Sequence, residues 1–209
     1  SPYYTVRAGN ETLLSIVNTT GDTKAIKVRF VEAMNSREVL DFNLYMSPYD
    51  VWTAGVKATH DGAMMVTNDL SCTVPPIPKN GVAFRPYAYN GALPEYPMDG
   101  GPTDREGHIE IIEMGVAPVK YLGFWDRDLS GYPDSTHIDG VPEDCTSYYT
   151  NWKDGDWTSL KTGALPPTGG LFGSSAIINV QLGTEIDVPI TILDGFSQKP
   201  LHYEPGTIY

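Results

Sequence analysis

The chain has 209 residues, of which 41% are hydrophobic and 19% charged, with 21 Gly, 17 Pro and 13 Tyr. This composition predicts a single domain over residues 1–209 in which many short strands are joined by ordered loops, and it excludes a disordered chain. The formal net charge of −12 argues against nucleic acid as a partner, because no cluster of cations is present to neutralise phosphates, and it is compatible with bound cations.

The N-terminal part of the chain is dominated by alternating apolar and polar residues. Residues 3–6 alternate weakly and predict an edge strand, and three stronger runs fill the stretch from Thr12 to Trp52. A period of two indicates antiparallel strands with one face buried and the other in water. Because turn residues stand at the two breaks, we expect a three-stranded meander. Its face in water would carry Lys27, Arg29, Asp41, Asn43 and Tyr45.

Similar alternation predicts further strands along the rest of the chain. They are expected at residues 51–56, 63–67, 107–115, 119–125, 175–182 and 185–193. The last two form a closing hairpin, and Pro189 marks the second of them as an edge strand or a bulge. Such an edge is a place where another chain can add a strand. Together these elements predict an all-β fold, an antiparallel β-sandwich or jelly-roll-like domain.

Three segments depart from this pattern. Residues 72–106 are rich in Pro, Gly and Asn and are predicted to be a long loop insertion. One short helix is expected within residues 141–157, where Pro142 suits the first turn and acidic residues follow near the positive end of the helix dipole. Residues 194–209 are expected to form an extended tail that lies across its own domain or across a neighbouring one.

Cys72 and Cys145 are the two cysteines of the chain. Their spacing has no metal-binding pattern, and one alternative is a pair of free buried thiols. We expect a long-range disulfide instead, because an even count with Tyr- and Gly-rich loops and an acidic balance is typical of secreted chains. Closing a loop of this length would stabilise the fold by roughly 4 kcal/mol. No transmembrane run or signal peptide is present, and the chain opens without Met, as a processed product would.

The sharpest local motif is the DxDxSG pattern that begins at residue 126. It is similar to the opening of a calcium loop, in which oxygen ligands converge because Gly allows a sharp turn. The predicted ligands are Asp126, Asp128, Ser130, Tyr132 through its carbonyl, and Asp134. The twelfth position is His rather than Glu and no amphipathic helices flank the loop, so the motif departs from an EF-hand. The alternative is a surface turn rich in Asp and Gly.

Asn10 and Asn18 each stand in an N-x-S/T sequon. In a secreted protein this pattern predicts N-glycosylation of a surface loop. The alternative is that the two sequons arise by chance from ordinary turn chemistry, which favours Asn and Thr at the same places.

The sequence contains no GxSxG, HExxH, Walker A or GxGxxG motif, and its four histidines are dispersed. Glu110 and Glu113 are candidates for the two carboxylates that glycoside hydrolysis needs. Three positions apart on a strand they face opposite sides unless a bulge intervenes, so they make a poor catalytic pair. We therefore do not expect an enzyme.

Several segments, taken in order through most of the chain, resemble an uncharacterised family of secreted bacterial proteins. They are YYTV, TLLSIVNTT, KAIKVRF, SREVLDFNLYMSPYDVWTA, REGHIEIIEMG and PTGGLFGSSAIINV. The resemblance implies an exported protein of the cell surface. It implies no activity, so no functional residue is carried over from the family.

The leading expectation is an extracellular structural or adhesive protein that assembles with copies of itself into a filament or a surface layer. A second hypothesis is a carbohydrate-binding module that stacks surface glycans on aromatic side chains. Its platforms would be Tyr87, Tyr89, Tyr96, Trp152 or Trp157, although the favoured explanation of the tyrosines is that they cover the sheet and form a satellite core. A third is a glycoside-active enzyme, for which the sequence does not place two carboxylates in one cleft.

Overall fold

A computed structural model describes residues 1–34, 36–85, 103–117, 134–146, 148 and 165–201, apart from the side chains of Asp134 and Thr136. The strands are β1 Tyr4–Thr5, β2 Glu11–Asn18, β3 Lys24–Glu32, β4 Glu38–Met46, β5 Val51–Ala58, β6 Ala63–Val66, β7 Cys72–Val74, β8 Val82–Ala83, β9 Glu106–Val116, β10 Asp134–Ile138, β11 Val141–Asp144, β12 Leu171–Asn179 and β13 Thr184–Val188. Two single-turn 3-10 helices span Arg7–Gly9 and Thr103–Arg105.

The strands form two antiparallel sheets packed against each other. One has five strands in the order β1-β9-β3-β4-β7, and the other has six in the order β13-β12-β2-β5-β6-β8. A separate two-stranded hairpin is made by β10 and β11. The all-β sandwich expected from the alternating pattern is therefore confirmed, and so is the edge strand at residues 3–6, which is β1.

The predicted three-stranded meander is wrong. Strands β3 and β4 do form a hairpin, but β2 lies in the other sheet, where it pairs with β5. The β3–β4 hairpin is thus nested inside the β2–β5 pair on the facing sheet, which is how a jelly-roll-like sandwich winds. Alternation indicates which face of a strand is buried, and it does not determine which strand becomes the neighbour.

The main core lies between the two sheets, where aliphatic side chains of both inner faces meet. Three aromatic residues close one end of it, because the rings of Tyr4, Phe30 and Phe84 contact one another at 5.1–5.8 Å between centroids. Phe42 and Trp52 pack across the sandwich with centroids 5.7 Å apart. The buried aliphatic residues of this core include Leu14, Ile16, Ile26, Val28, Leu40, Leu44, Met46, Val56 and Ile109.

The outer face of the five-stranded sheet, which was expected to lie in water, is buried around Lys27, Asp41, Asn43 and Tyr45, while Arg29 stays partly exposed. Lys27 and Asp41 have no exposed side-chain surface, and their Nζ and Oδ2 atoms lie 3.5 Å apart. Burial lowers the pKa of the Lys27 ammonium below its ordinary value, and the carboxylate of Asp41 opposes that shift. Tyr148 stacks on Tyr45 of β4 with ring centroids 4.0 Å apart. A second layer of chain therefore covers this face and forms a smaller core.

The predicted disulfide between Cys72 and Cys145 is confirmed, with 5.2 Å between the two Cα atoms. It joins the edge strand β7 to the segment that follows β11, and it crosses 73 positions of sequence. Both sulfurs belong to the smaller core beside Tyr148. The bond therefore holds the covering layer against the outer face of the sheet, and the chain-entropy model gives such a loop about 4 kcal/mol of stabilisation.

The short helix expected from residue 141 is wrong at its start. Val141–Asp144 is a strand that pairs with β10, so Pro142 lies in a hairpin instead of a first helical turn. Of the remaining predicted residues, Thr146 and Tyr148 have helical backbone, and residues 149–157 lie outside the described part.

Other predicted loops and strands have different bounds in the structure. Residues 72–106, expected to be loop, include β7, β8 and a 3-10 turn, while 86–102 lie outside the described residues. The predicted strand 185–193 ends at Val188, directly before Pro189, which has no N–H to continue the ladder. The predicted strand 119–125 lies outside the described residues.

A buried carboxylate, Asp104, holds the corner where β9 begins. Its Oδ2 accepts a hydrogen bond of 3.1 Å from the backbone N–H of Ala63, and its carbonyl accepts one of 3.1 Å from the hydroxyl of Tyr4. Burial raises the pKa of the Asp104 carboxyl above its ordinary value, while the Ala63 bond and the charges of Arg105 and Arg7 oppose the rise.

Asp41→Leu should destabilise the protein by about 3–5 kcal/mol, because it leaves the ammonium of Lys27 buried without its carboxylate. The double variant Lys27→Met with Asp41→Leu should lose less stability than the single variant, since neither charge of this pair stays buried. Chemical denaturation measures both. Asp61→Ala, at an exposed turn, is the control and should change the free energy of unfolding by no more than about 0.5 kcal/mol. A loss for Asp41→Leu as small as that of the control would contradict the burial of the pair.

Asp104→Asn should flatten the pH dependence of stability. In the wild type the folded state holds a proton at pH values where the unfolded chain has lost it. The free energy of unfolding therefore falls as pH rises from 3.8 through the raised folded pKa. The amide keeps an acceptor for Ala63 but does not titrate, so the variant should lack this part of the decline. Urea unfolding at a series of pH values from about 4 to 8 tests this, and identical slopes for both proteins would refute it.

Candidate interaction surface

The calcium prediction falls almost wholly outside the described residues. Asp126, Asp128, Ser130 and Tyr132 are not among them, and Asp134 is described only by its backbone, which opens β10 opposite Asp144. Within the described ranges, no group of three or more His, Cys, Asp or Glu is arranged to hold a metal ion. Calcium binding at this loop stays a prediction.

The two sequons differ in their surroundings. Asn18 is fully buried, and its side-chain amide donates hydrogen bonds to the carbonyls of Asp22 at 2.7 Å and Ser47 at 2.8 Å. A glycan on this nitrogen would replace one of its two hydrogens, breaking one of these bonds, and would have to leave through a fully buried site, so the predicted glycosylation of Asn18 does not fit the fold and is corrected here to a turn-stabilising role. Asn10 is partly exposed, and glycosylation there stays a prediction.

Glu110 and Glu113 serve separate ion pairs. Glu110 accepts a hydrogen bond of 2.6 Å from Arg29, and Glu113 accepts one of 2.9 Å from Lys24. The strand register places the two carboxylates on opposite faces of β9, as their spacing predicts. They do not form the facing pair that glycoside hydrolysis requires.

Ser47, His137 and Asp50 meet near the end of β4, an arrangement that invites comparison with a nucleophilic triad. Ser47 Oγ lies 2.8 Å from His137 Nδ1, and Asp50 Oδ2 lies 3.9 Å from the same nitrogen. In a triad the hydroxyl and the carboxylate use different ring nitrogens. Here both face Nδ1, and Ser47 is buried, so the cluster ties β10 to the sandwich and does not present a nucleophile.

A groove opens between the two sheets along the side where β9 and β12 lie. Its volume is about 650 Å³. Its lining is mostly aliphatic and aromatic, and it includes Ile16, Ile109, Ile111, Leu171, Phe172, Ile190, Ile192, Leu193 and Phe196. An apolar groove of this size at an open side of a sandwich is a candidate docking surface.

The groove keeps its shape because a buried ion pair holds one of its walls. The carboxylate of Glu113 accepts hydrogen bonds of 2.9 Å from the backbone N–H groups of Thr168 and Gly169. Its charge is balanced by Lys24, whose ammonium also donates to the hydroxyl of Thr168 at 2.5 Å. Gly169 has φ +76°, a left-handed conformation that glycine adopts without strain. The Glu113 pair therefore fixes the turn that leads into β12.

The backbone of β9 is partly free along the floor of the groove. Ser1 occupies the outward-facing backbone groups of Ile109. The amine of Ser1 donates to the carbonyl of Ile109 at 2.7 Å, and the N–H of Ile109 donates to the carbonyl of Ser1 at 3.0 Å. Alternate residues of an antiparallel strand point to the same side, so the N–H and C=O of Ile111 also face outward. In the described part of the chain they meet no backbone partner.

The opposite wall of the groove is a strap, residues 189–200, that follows β13. Ile190 packs over Gly173 of β12 and reaches the main core. The residues beyond it lie on the surface, and Leu193 is 76% exposed although it is aliphatic. Ile192 and Phe196 are also about half exposed beside it. The strap therefore turns one apolar side chain inward and leaves three at the rim of the groove.

The β12–β13 hairpin ends in an exposed apolar tip, residues 180–183. Val180 is 77% exposed and Leu182 is 73% exposed. Asn179 holds the tip in place, because its Oδ1 accepts a hydrogen bond of 3.1 Å from the N–H of Leu182. The amide of Asn179 in turn donates to the carbonyl of Ala8 at 3.1 Å and to the side chain of Asn10 at 3.0 Å. The tip is therefore rigid as well as apolar.

Sequence reasoning missed both the groove and the tip. The tip was expected to be strand, because Val180 and Leu182 continue the alternation of the preceding residues. The sequence feature that indicates a turn at the tip is Gly183, which adopts φ +63°. No local signal marks the groove, since its lining comes from parts of the chain that are distant in sequence.

Comparison with known proteins finds no protein-family model, no curated protein and no solved structure that matches this chain. The resemblance to secreted bacterial proteins accordingly stays an expectation. Among the helices of the described residues, none has the length and apolar content needed to cross a membrane.

Proposed function

We propose that this protein is an extracellular structural or adhesive protein of the cell surface that works by associating with copies of itself. The observation that carries the proposal is the apolar surface around β13. Val180, Leu182, Ile186 and Leu193 are each more than 60% exposed and lie on or next to this end strand. Large aliphatic side chains exposed at the two ends of this hairpin mark surfaces that another protein covers.

The strand β13 itself supports association. It is the last strand of the six-stranded sheet, and its outer edge has no neighbour in the described part of the chain. Natural proteins usually protect such an edge, because its free N–H and C=O groups pair readily with another strand. Because this edge is open and lies beside exposed aliphatic residues, it is a place where another chain can add a strand.

An extracellular location is supported by the Cys72–Cys145 disulfide, since such bonds persist in oxidising compartments and are rare in the cytosol. The resemblance to exported bacterial proteins points the same way. The predicted absence of catalysis is consistent with a role that depends on contacts, and it stays a prediction.

Electrostatics limits how copies can associate. Glu185 and Asp187 alternate with Ile186 on β13, so two β13 strands paired antiparallel with Ile186 opposite Ile186 would place carboxylates opposite carboxylates. The net charge of −12 adds a longer-range repulsion between copies. Association should therefore use apolar contacts and strengthen when salt screens the charges.

The carbohydrate-binding alternative rests on Tyr87, Tyr89, Tyr96, Trp152 and Trp157, all of which lie outside the described residues. No observation on the described residues favours it over association between copies, and a glycan array is the direct test of it.

The purified protein should form particles larger than a monomer, and their share should grow with salt concentration because screening reduces the repulsion between acidic copies. Size-exclusion chromatography with light scattering, followed by negative-stain imaging, measures this across a series of NaCl concentrations, each with and without calcium. A protein that stays monomeric at high concentration in every one of these conditions would contradict the proposal.

A further inference from the structure

The apolar tip and the apolar groove lie at opposite ends of the same strand. The groove is lined by Leu171, Phe172 and Gly173 at the start of β12, and the tip follows Asn179 at its end. At the rise of an extended strand these two places are roughly 25 Å apart. One copy therefore cannot place its own tip in its own groove.

We propose that the tip of one copy inserts into the groove of the next, so that copies join head to tail along the direction of β12. This inference rests on the proposed function and gives it a geometry. A contact between two different surfaces of the same chain is heterologous, and unless its rotation happens to close a ring it repeats without limit. The expected product is a filament rather than a symmetric dimer.

The charges of the groove favour this occupant. Three carboxylates line it: Glu113 is paired with Lys24, Glu110 is paired with Arg29, and Asp194 is exposed at the rim, so a cationic ligand would find no buried charge left unpaired. The tip has the sequence Val-Gln-Leu-Gly and carries no charge. An uncharged apolar plug can enter an apolar groove without leaving a buried ion unpaired, which would be costly.

The rigidity of the tip also favours insertion. The bonds from Asn179 to Leu182, Ala8 and Asn10 fix the turn before any contact is made. A side chain that is already ordered loses less conformational entropy on binding, so more of the apolar contact is retained as affinity. Asn179 is in this sense a positioning residue for the contact.

The test uses two variants of the full chain. The tip variant is Val180→Ser with Leu182→Ser, and the groove variant is Leu193→Ser with Phe196→Ser. All four positions are at least 48% exposed, so the fold should tolerate the changes, and unfolding curves check this. The control is Val51→Ser with Leu70→Ser, two apolar residues that are 47% and 49% exposed and lie outside the tip and the groove lining.

Each variant should raise the protein concentration needed for assembly by at least about tenfold, because each loses buried apolar area at the contact. The control should assemble like the wild type. Mixing the two variants is the decisive step, since the intact tip of the groove variant can enter the intact groove of the tip variant. The mixture should form dimers that do not grow further.

The outcomes separate this inference from the proposed function. If the wild type assembles and the tip and groove variants assemble equally well, the head-to-tail contact is wrong while self-association stands. If the variants are monomeric and their mixture stays monomeric, tip and groove do not contact each other and the inference is overturned. If the wild type itself does not assemble, both proposals fail.

Discussion

The structure depends on burying a polar face. Strand β3 turns Ile26, Val28 and Phe30 into the main core and turns Lys27 toward the other side of the sheet, where Asp41 of β4 meets it. Burying these charges is costly, and their mutual attraction offsets the cost only when the geometry holds and water stays out. The layer that excludes water is held by the Tyr148 stack on Tyr45 and by the Cys72–Cys145 disulfide. The five-stranded sheet is therefore enclosed on its inner face and over much of its outer face, where Arg29 and Glu110 stay partly exposed.

The two sheets consequently serve different purposes. The five-stranded sheet is covered by the main core on one side and largely by the disulfide-held layer on the other, and its partly exposed described residues include Arg29 of β3 and Glu110 of β9. The six-stranded sheet keeps an open edge at β13 and an apolar tip beside it. The groove lies where the two meet, and the pair of Glu113 with Lys24 supports its wall from inside. Buried charge thus supports the wall of the groove, and exposed apolar side chains provide the contact that we propose between copies.

Much of the fold could be predicted from the sequence because hydrophobic period and disulfide chemistry are local or compositional signals. The alternation located β3, β4, β5 and β9, and the even cysteine count predicted the bond between Cys72 and Cys145. Partner choice could not be predicted, since β2 alternates equally well whether it pairs with β3 or with β5. The burial of Lys27 could not be predicted either, because a lysine that alternates with aliphatic residues looks the same whether water or another layer of chain covers it.

The candidate site could be predicted from the sequence less well than the fold, for the same reason. Glu113 was a candidate catalytic residue in the sequence, and only the approach of Thr168 and Gly169, more than 50 positions away, shows that it supports a turn. Asn179 carries no motif, and its role depends on three partners brought together by the fold. Sites made of contacts distant in sequence leave little trace in any single stretch of it.

Lysine labelling tests the enclosed polar face most directly. An amine-reactive reagent followed by peptide mass mapping should modify the exposed Lys57 and Lys79 readily in the oxidised protein and leave the buried Lys27 almost unreacted. Reduction of the disulfide should loosen the covering layer and raise the reactivity of Lys27 toward that of the exposed lysines. Modification of Lys27 as fast as Lys57 in the oxidised protein would show that water reaches this face, and would contradict the account.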